Sequence, residues 1–235
     1  MKFKIHLCLM LLLGLGLVSC EFDNYDEPKS MLEGRLVYNG EPINVSYNDV
    51  SFQLWEPGWQ KKTPINVAVD QDGSYSTVLF NNTYKLIIQP FQGPFKSKTN
   101  DVTKSDTILV EVKGSQTFDI EVLPYYMIRS AQLTGSGNKA SATFKVEQII
   151  TGLDAKSVEF VGFYTNKTFF VDRSSSNNIA SATLNGADIT DMNNISLSVD
   201  IPAINPAQNY VYGRVGVKIA GVEDMIFSPV QKINL

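Results

Sequence analysis

Histidine is almost missing from this 235-residue chain: His6 stands alone. Cysteine is nearly as scarce, with Cys8 and Cys20 its two occurrences, and both His6 and Cys8 precede position 20. Beyond Cys20 there is no imidazole and no further thiol. That absence excludes Ser-His-Asp and Cys-His nucleophiles, histidine-ligated zinc or iron, thiol redox centres and any disulfide within the downstream chain. A basic run is missing too, and the net charge of −4 argues against nucleic acid as a partner. No convincing amphipathic helix is present, and the one long apolar run, Leu7 to Val18, is too short to span a bilayer as a helix. Carboxylates remain, so glycoside hydrolysis by an Asp/Glu pair is the one enzyme class the residue types leave open. Nothing in the composition calls for a metal or a cofactor.

What is present begins with Lys2 and Lys4, a Leu-rich stretch, and Leu17-Val18-Ser19-Cys20. A basic cap, a short apolar core and a small residue before cysteine make a three-part secretory signal. The tetrapeptide resembles the lipobox of bacterial lipoproteins, which implies that residues 1–19 are a signal peptide and that Cys20 becomes a lipidated N-terminus. Three acyl chains anchor essentially permanently where one, at about 0.8 kcal/mol per buried methylene, anchors marginally. Removing 19 residues from 235 leaves 216, and losing Lys2 and Lys4 takes the net charge from −4 to −6. Residues 20–30 then read as an acidic tether, with Glu21, Asp23, Asp26 and Glu27 ahead of Pro28, Lys29 and Ser30. Such a stretch resembles the export signal that sends lipoproteins to the exterior face of the outer membrane in polysaccharide-degrading bacteria.

From residue 31 the chain reads as short strands with period-2 alternation, broken by Gly, Pro, Asn or Asp every eight to twelve residues. This predicts an all-β protein of two tandem β-sandwich domains, residues 31–123 and 124–235. In the first, Val50/Phe52/Leu54, Ile65/Val67/Val69, Tyr84/Leu86/Ile88, Ile108/Val110/Val112 and Phe118/Ile120/Val122 supply core stripes. Asp70-Gln71-Asp72-Gly73-Ser74-Tyr75 reads as a tight hairpin, Asp72-Gly73 supplying the positive torsion. As a calcium site it lacks enough oxygen ligands. Leu123-Pro124-Tyr125-Tyr126 closes the domain, with no long flexible linker, so the two domains are expected to dock through this aromatic pair. In the second domain the stripes are Ala142/Phe144/Val146, Val158/Phe160/Gly162 and Ile195/Leu197/Val199/Ile201.

The first region, with Leu32-Glu33-Gly34-Arg35-Leu36 as its opening strand, resembles the carboxypeptidase-regulatory, or transthyretin-like, sandwich. Ile204-Asn205-Pro206 through Tyr210 resembles the turn before strand F of fibronectin type III domains, which implies a tyrosine-corner bond from the Tyr210 hydroxyl. In order, the lipobox, the Asp23 to Pro28 tether, Leu32 to Leu36, Asp72 to Tyr75 and Val122 to Tyr126 resemble a family of two-domain, functionally uncharacterised lipoproteins of polysaccharide-utilisation loci. The resemblance implies a non-catalytic accessory glycan-binding protein beside SusC/SusD-like importers, its partners being an oligo- or polysaccharide and the importer. A structural accessory that braces the importer is the alternative, and a glycosidase a second.

Glycan sites on sandwiches use exposed rings bordered by amides and carboxylates. Alternation places Trp55 with Gln53 on the face opposite Phe52 and Leu54, and Glu56 and Trp59 follow across a Pro-Gly turn. These four, with Phe91 and Phe95 in a loop stiffened by Pro90, Gly93 and Pro94, are the candidate ligand residues; covering a sandwich edge or contacting the second domain is the competing role for the tryptophans. Asp106-Thr107-Ile108 resembles a bacterial O-glycosylation site, making Thr107 the acceptor. Phe163, Tyr164, Phe169 and Phe170 flank Asn166-Lys167-Thr168, and apolar residues on both faces leave open which rings are outside. Glu56 and Glu111 are the carboxylates available to the glycosidase alternative.

Overall fold

The computed structural model describes residues 26–58 and 62–235. The expected signal peptide over residues 1–19, the expected lipidation site Cys20 and most of the expected tether lie outside the described residues. Among the described residues no helix is long and apolar enough to cross a membrane.

The first domain is two sheets packed face to face. One is β4-β3-β6-β8, formed by β3 (Ser51–Trp55), β4 (Ile65–Ala68), β6 (Asn82–Ile87) and β8 (Ile108–Val112). The other is organised around β1 (Ser30–Tyr38), whose first half pairs with β5 (Ser74–Leu79) and whose second half pairs with β2 (Glu41–Pro42) and, in parallel, with β10 (Ile120–Pro124). Strands β7 (Phe95–Ser97) and β9 (Gln116–Thr117) complete it. Alternation fills the space between: Phe52, Leu54, Tyr84, Leu86 and Val110 from one sheet meet Leu32, Leu36, Tyr75, Leu79 and Ile120 from the other, none more than 4% exposed. Phe52 and Tyr75 meet edge to face at 4.8 Å, an arrangement that suits the ring quadrupoles.

The Asp70–Ser74 turn has the expected chemistry and a different place in the fold. Gly73 has φ 82°, its N–H donates to Asp70 O at 2.9 Å, and Ser74 donates its backbone N–H and hydroxyl to Asp72. It is not a hairpin between ladder partners, because β4 pairs with β3 and β5 with β1. The turn is the corner where the chain changes sheet, and short-range torsions are the same in both cases.

The second domain sets β11 (Tyr126–Ser136), β12 (Lys139–Gln148) and β15 (Ile195–Asp200) against a five-stranded sheet. That sheet holds β13 (Val158–Asn166), β14 (Ala180–Asn185), β16 (Tyr210–Ile219), β17 (Ile226–Phe227) and β18 (Gln231–Asn234). The Val158/Phe160/Gly162 stripe is overturned. A register irregularity between Val158 and Phe160 reverses the alternation, so Val161 and Phe163, both fully buried, face the core. Phe160, Gly162 and Tyr164 take the other face, where Tyr164 joins Val171, Met225 and Phe227 in a second apolar cluster. Tyr210 is also corrected: its hydroxyl has no hydrogen-bond partner among the described residues, and its ring packs edge-on to Tyr212 with Lys232 Nζ 3.9 Å from its centroid.

The domains dock. Asn44 of the first makes a bridge to Phe227 of the second, whose N–H donates to Asn44 O at 2.9 Å. Gly93 N–H donates to Asp224 Oδ2 at 2.7 Å, and Arg129 pairs with Glu41. At the junction Tyr125 N–H donates to Pro94 O of the first domain at 3.2 Å, while Tyr126, 5% exposed, donates its hydroxyl to Lys156 O within its own domain at 2.7 Å.

Candidate functional site

On the first domain Ser51, Gln53 and Trp55 occupy the outer face of β3. The Trp55 indole N–H donates to Gln53 Oε1 at 3.1 Å, and Gln53 Nε2 donates to Asn66 Oδ1 at 3.3 Å. Trp55 stands opposite Lys85, Gln53 opposite Ile87, and Lys85 opposite Leu109. A half-buried indole fixed by an amide and bordered by amide and aliphatic groups results. Glu56 supports this edge: its carboxylate accepts from Asn82 Nδ2 at 2.9 Å and lies beside the Tyr84 phenol, which burial first, and Glu56 second, push up to about 12. Glu111 is paired with Lys113 at 2.7 Å. Trp59 lies outside the described residues.

The Gln89–Gln92 turn carries the most exposed of the candidate rings among the described residues. Gln92 N–H donates back to Gln89 O at 3.2 Å, with Pro90 second and Phe91 third at φ 72°, matching a type II turn. That third position favours glycine, and a side chain there costs about 1–2 kcal/mol. Yet Phe91 occupies it with 84% of its surface exposed. The turn is held from below: Gln92 Oε1 accepts the Ser51 N–H at 2.8 Å, and Gly93 is tied to Asp224, whose carboxyl burial pushes up. Phe95 does not share this exposure. It is 6% exposed, with its ring 2.2 Å from where a Gly93 side chain would start, so it is a core residue that only floors the adjoining cavity. That cavity, about 410 Å³, lies between the domains and is lined by Phe91, Tyr125, Lys96, Lys156 and Glu223. Thr107 is half-buried immediately before β8, its N–H donating to Ser105 Oγ at 3.1 Å. Cys20 lies outside the described residues.

A further set of rings, which sequence reasoning left unassigned or passed over, stands on the domain seam. Tyr47, 43% exposed, meets Phe170, also 43% exposed, edge to face at 5.0 Å, and Phe169, 52% exposed, meets Tyr212 at 5.6 Å. The backbone beneath is fastened residue by residue. Gln71 Nε2 donates to Phe169 O at 3.1 Å, Asn166 Nδ2 to Phe170 O at 2.6 Å, and Arg214 Nε to Val171 O. Gln71, Asn166 and Arg214 are 3%, 4% and 0% exposed. Arg214 also donates Nη1 to Val45 O at 2.9 Å and to Gln71 O at 3.4 Å, and its guanidinium lies 3.9 Å from the Phe227 ring centroid. Burial pushes the guanidinium down to about 9, so it stays charged at neutral pH. Tyr47 also forms a wall of a groove of about 640 Å³ lined by Glu33, Asn48, Asp70 and Asp119. All three carboxylates are exposed; Asp70 Oδ1 accepts the Gln71 N–H at 2.6 Å and Asp119 Oδ1 the Arg35 N–H at 2.9 Å. Among the described residues no group of three or more His, Cys, Asp or Glu could hold a metal ion.

Two family models match this chain: "Protein of unknown function (DUF3823) N-terminal domain" over residues 30–123 and "Domain of unknown function (DUF3823_C)" over 126–232. No curated protein matches. Among solved structures, a DUF3823 family protein from Bacteroides ovatus is 30% identical with a TM-score of 0.75, covering 88% of this chain and 100% of that one. Another from Parabacteroides merdae is 32% identical with a TM-score of 0.75, covering 89% and 100%. At 18% identity and a TM-score of 0.66, a "putative carbohydrate binding protein" from Bacteroides uniformis shares the fold over 89% of this chain and 100% of its own.

Proposed function

The chain belongs to the DUF3823 family of two-domain proteins, and on that premise we propose that it is a non-catalytic lipoprotein of the outer membrane's exterior face that holds glycans for a SusC/SusD-like importer. The observation that carries the binding half of this reading is Phe91. A phenyl ring at a backbone position suited to glycine, almost wholly in solvent and on a turn fixed at its base, costs the isolated fold torsional energy, and a ligand that covers the ring would take its apolar surface out of water. Preorganised aromatic surfaces lose little entropy on binding, which suits weak, multivalent capture of a polymer. Trp55, with Gln53, adds a second ring on the same domain, and the name of the B. uniformis fold-mate gives a ligand class to test, although that likeness extends to the fold alone. The anchor half rests on the lipobox and acidic tether. The three- plus five-stranded second domain supports a fibronectin type III-like reading, and the first a transthyretin-like one.

Hydrolysis is disfavoured by the state of the carboxylates. A glycosidase acid must keep its proton near neutral pH, which takes burial or a like-charged neighbour. Glu56 and Glu111 are engaged by Asn82 and Lys113, the groove acids are exposed to water, and Asp224, whose carboxyl burial pushes up, has its Oδ2 committed to the Gly93 N–H. Screening the full-length protein in affinity gels containing neutral and acidic polysaccharides, with product analysis, tests the reading. Retention without product formation is expected, and Phe91→Ala should weaken it several-fold with an unchanged melting temperature. A protein that retains nothing, or cleaves what it binds, overturns it. Metabolic palmitate labelling lost in Cys20→Ala is the matching result for the anchor.

A further inference from the structure

Buried Gln71, Asn166 and Arg214 hold three successive residues, Phe169 to Val171, by hydrogen bonds to their backbone. Burying a charged guanidinium opposes folding unless its donors are used, and here one nitrogen, Nη2, has no partner among the described residues. What the arrangement secures is not a sealed core, because the rings of Phe169 and Phe170 emerge from it half in water. From the other domain Tyr47 is brought against Phe170, and it also lines the groove of Glu33, Asn48, Asp70 and Asp119. The seam therefore offers two adjacent aromatic rings beside a concave strip of hydrogen-bond acceptors and an amide.

We infer that Tyr47 and Phe170, with the Asn48/Asp70/Asp119 groove, form a second binding site, specific for an uncharged oligosaccharide; this rests on the glycan-binding reading above. The rings supply the apolar surface on which a pyranose face packs, and the carboxylates and amide take the hydroxyl protons. Charge selects the class. Three carboxylates face the groove against one guanidinium, Arg35, which is itself paired with Asp72 at 3.1 Å. An anionic sugar would be repelled there, whereas a neutral polyol donates to every acceptor. Because Tyr47 and the groove belong to the first domain and Phe170 to the second, the complete site exists only in the docked molecule.

The test uses the full-length protein in affinity gels and titration calorimetry, with amylopectin, galactomannan, xyloglucan and laminarin as neutral probes and polygalacturonate as the acidic one. Retention by at least one neutral probe is expected, with Tyr47→Ala and Phe170→Ala each weakening it about tenfold or more. Asn48→Gly is the backup should either ring variant lose stability. Asn48 has φ 62°, where glycine is at ease, and loss of its amide should weaken binding roughly threefold to tenfold. If the wild type binds a neutral probe and all three variants keep full affinity while Phe91→Ala loses it, the seam site is wrong and the general reading stands. Binding to no probe overturns both, and binding to polygalacturonate alone overturns the assignment of ligand class. Retention untouched in all three variants, with importer co-purification lost, would make the seam a protein-docking surface instead.

Discussion

Arg214 sits where an apolar residue would be expected: mid-strand in β16, between Gly213 and Val215, with no solvent contact. Its value lies in reach, because one planar donor fork spans carbonyls of Val45, Gln71 and Val171 that no other nearby side chain serves. Arg214→Met would keep the bulk and the contact with Phe227 while leaving the Val45 and Val171 carbonyls unpaired, since Gln71 O also accepts the Val45 N–H at 3.3 Å. Each buried orphan costs about 1–3 kcal/mol, and the relieved desolvation of the guanidinium offsets part of that sum. A net loss of about 3 kcal/mol is expected, read as a lowered urea midpoint. An unchanged midpoint would mean that the arginine serves position rather than stability. Sequence alone does not expose this residue, since an arginine among valines in a strand reads as an outward charge on the solvent face.

At the scale of elements, the Asp70–Ser74 corner and the β13 irregularity do most to set where chemistry-bearing residues go. The corner is legible as a turn from Asp72-Gly73, but its role as a sheet-to-sheet crossing depends on β5 pairing with β1, some forty residues earlier in the chain. Its tightness is testable. A side chain at Gly73 would start 2.3 Å from Ile43 O, whereas Gly114, at nearly the same φ, has nothing within 4 Å. Gly114→Ala should therefore lose only the torsional term, about 1 kcal/mol, and Gly73→Ala at least about 1–2 kcal/mol more. Thermal melts of both variants check this, a difference of some 2–4 °C per kcal/mol being expected for a chain of this size. Equal shifts would show that Ile43 gives way. In β13, periodicity fails for a definite reason: one irregular residue reverses which side chains face inward, and both faces are buried, so apolar content does not distinguish them.

For the whole molecule, the consequence of docking is cooperativity. The seam holds a backbone bridge at Asn44 and Phe227, the Arg214 bonds, the Gly93–Asp224 bond and the Arg129–Glu41 pair, and buried residues of both domains form one apolar cluster. Calorimetry should accordingly record a single unfolding transition, with Arg214→Met lowering it as one peak. Two resolved transitions would mean that the domains melt independently and that the seam is marginal. The same rigidity underlies the proposed capture of glycan, since Tyr47 and Phe170 stay adjacent only while the domains do.

The sequence by itself determined the all-β architecture of tandem sandwiches, because alternation and turn chemistry are local properties. It also determined which chemistries residues 21–235 cannot supply, since they contain no histidine and no cysteine. The tertiary structure decided which rings meet water. Phe91 and Phe95 share one loop and one composition, yet one is 84% and the other 6% exposed. Phe169 and Phe170 become a surface only because Gln71 and Arg214, far apart in the chain, meet beneath them. Exposure and juxtaposition depend on long-range pairing, and no window of neighbouring residues contains that information.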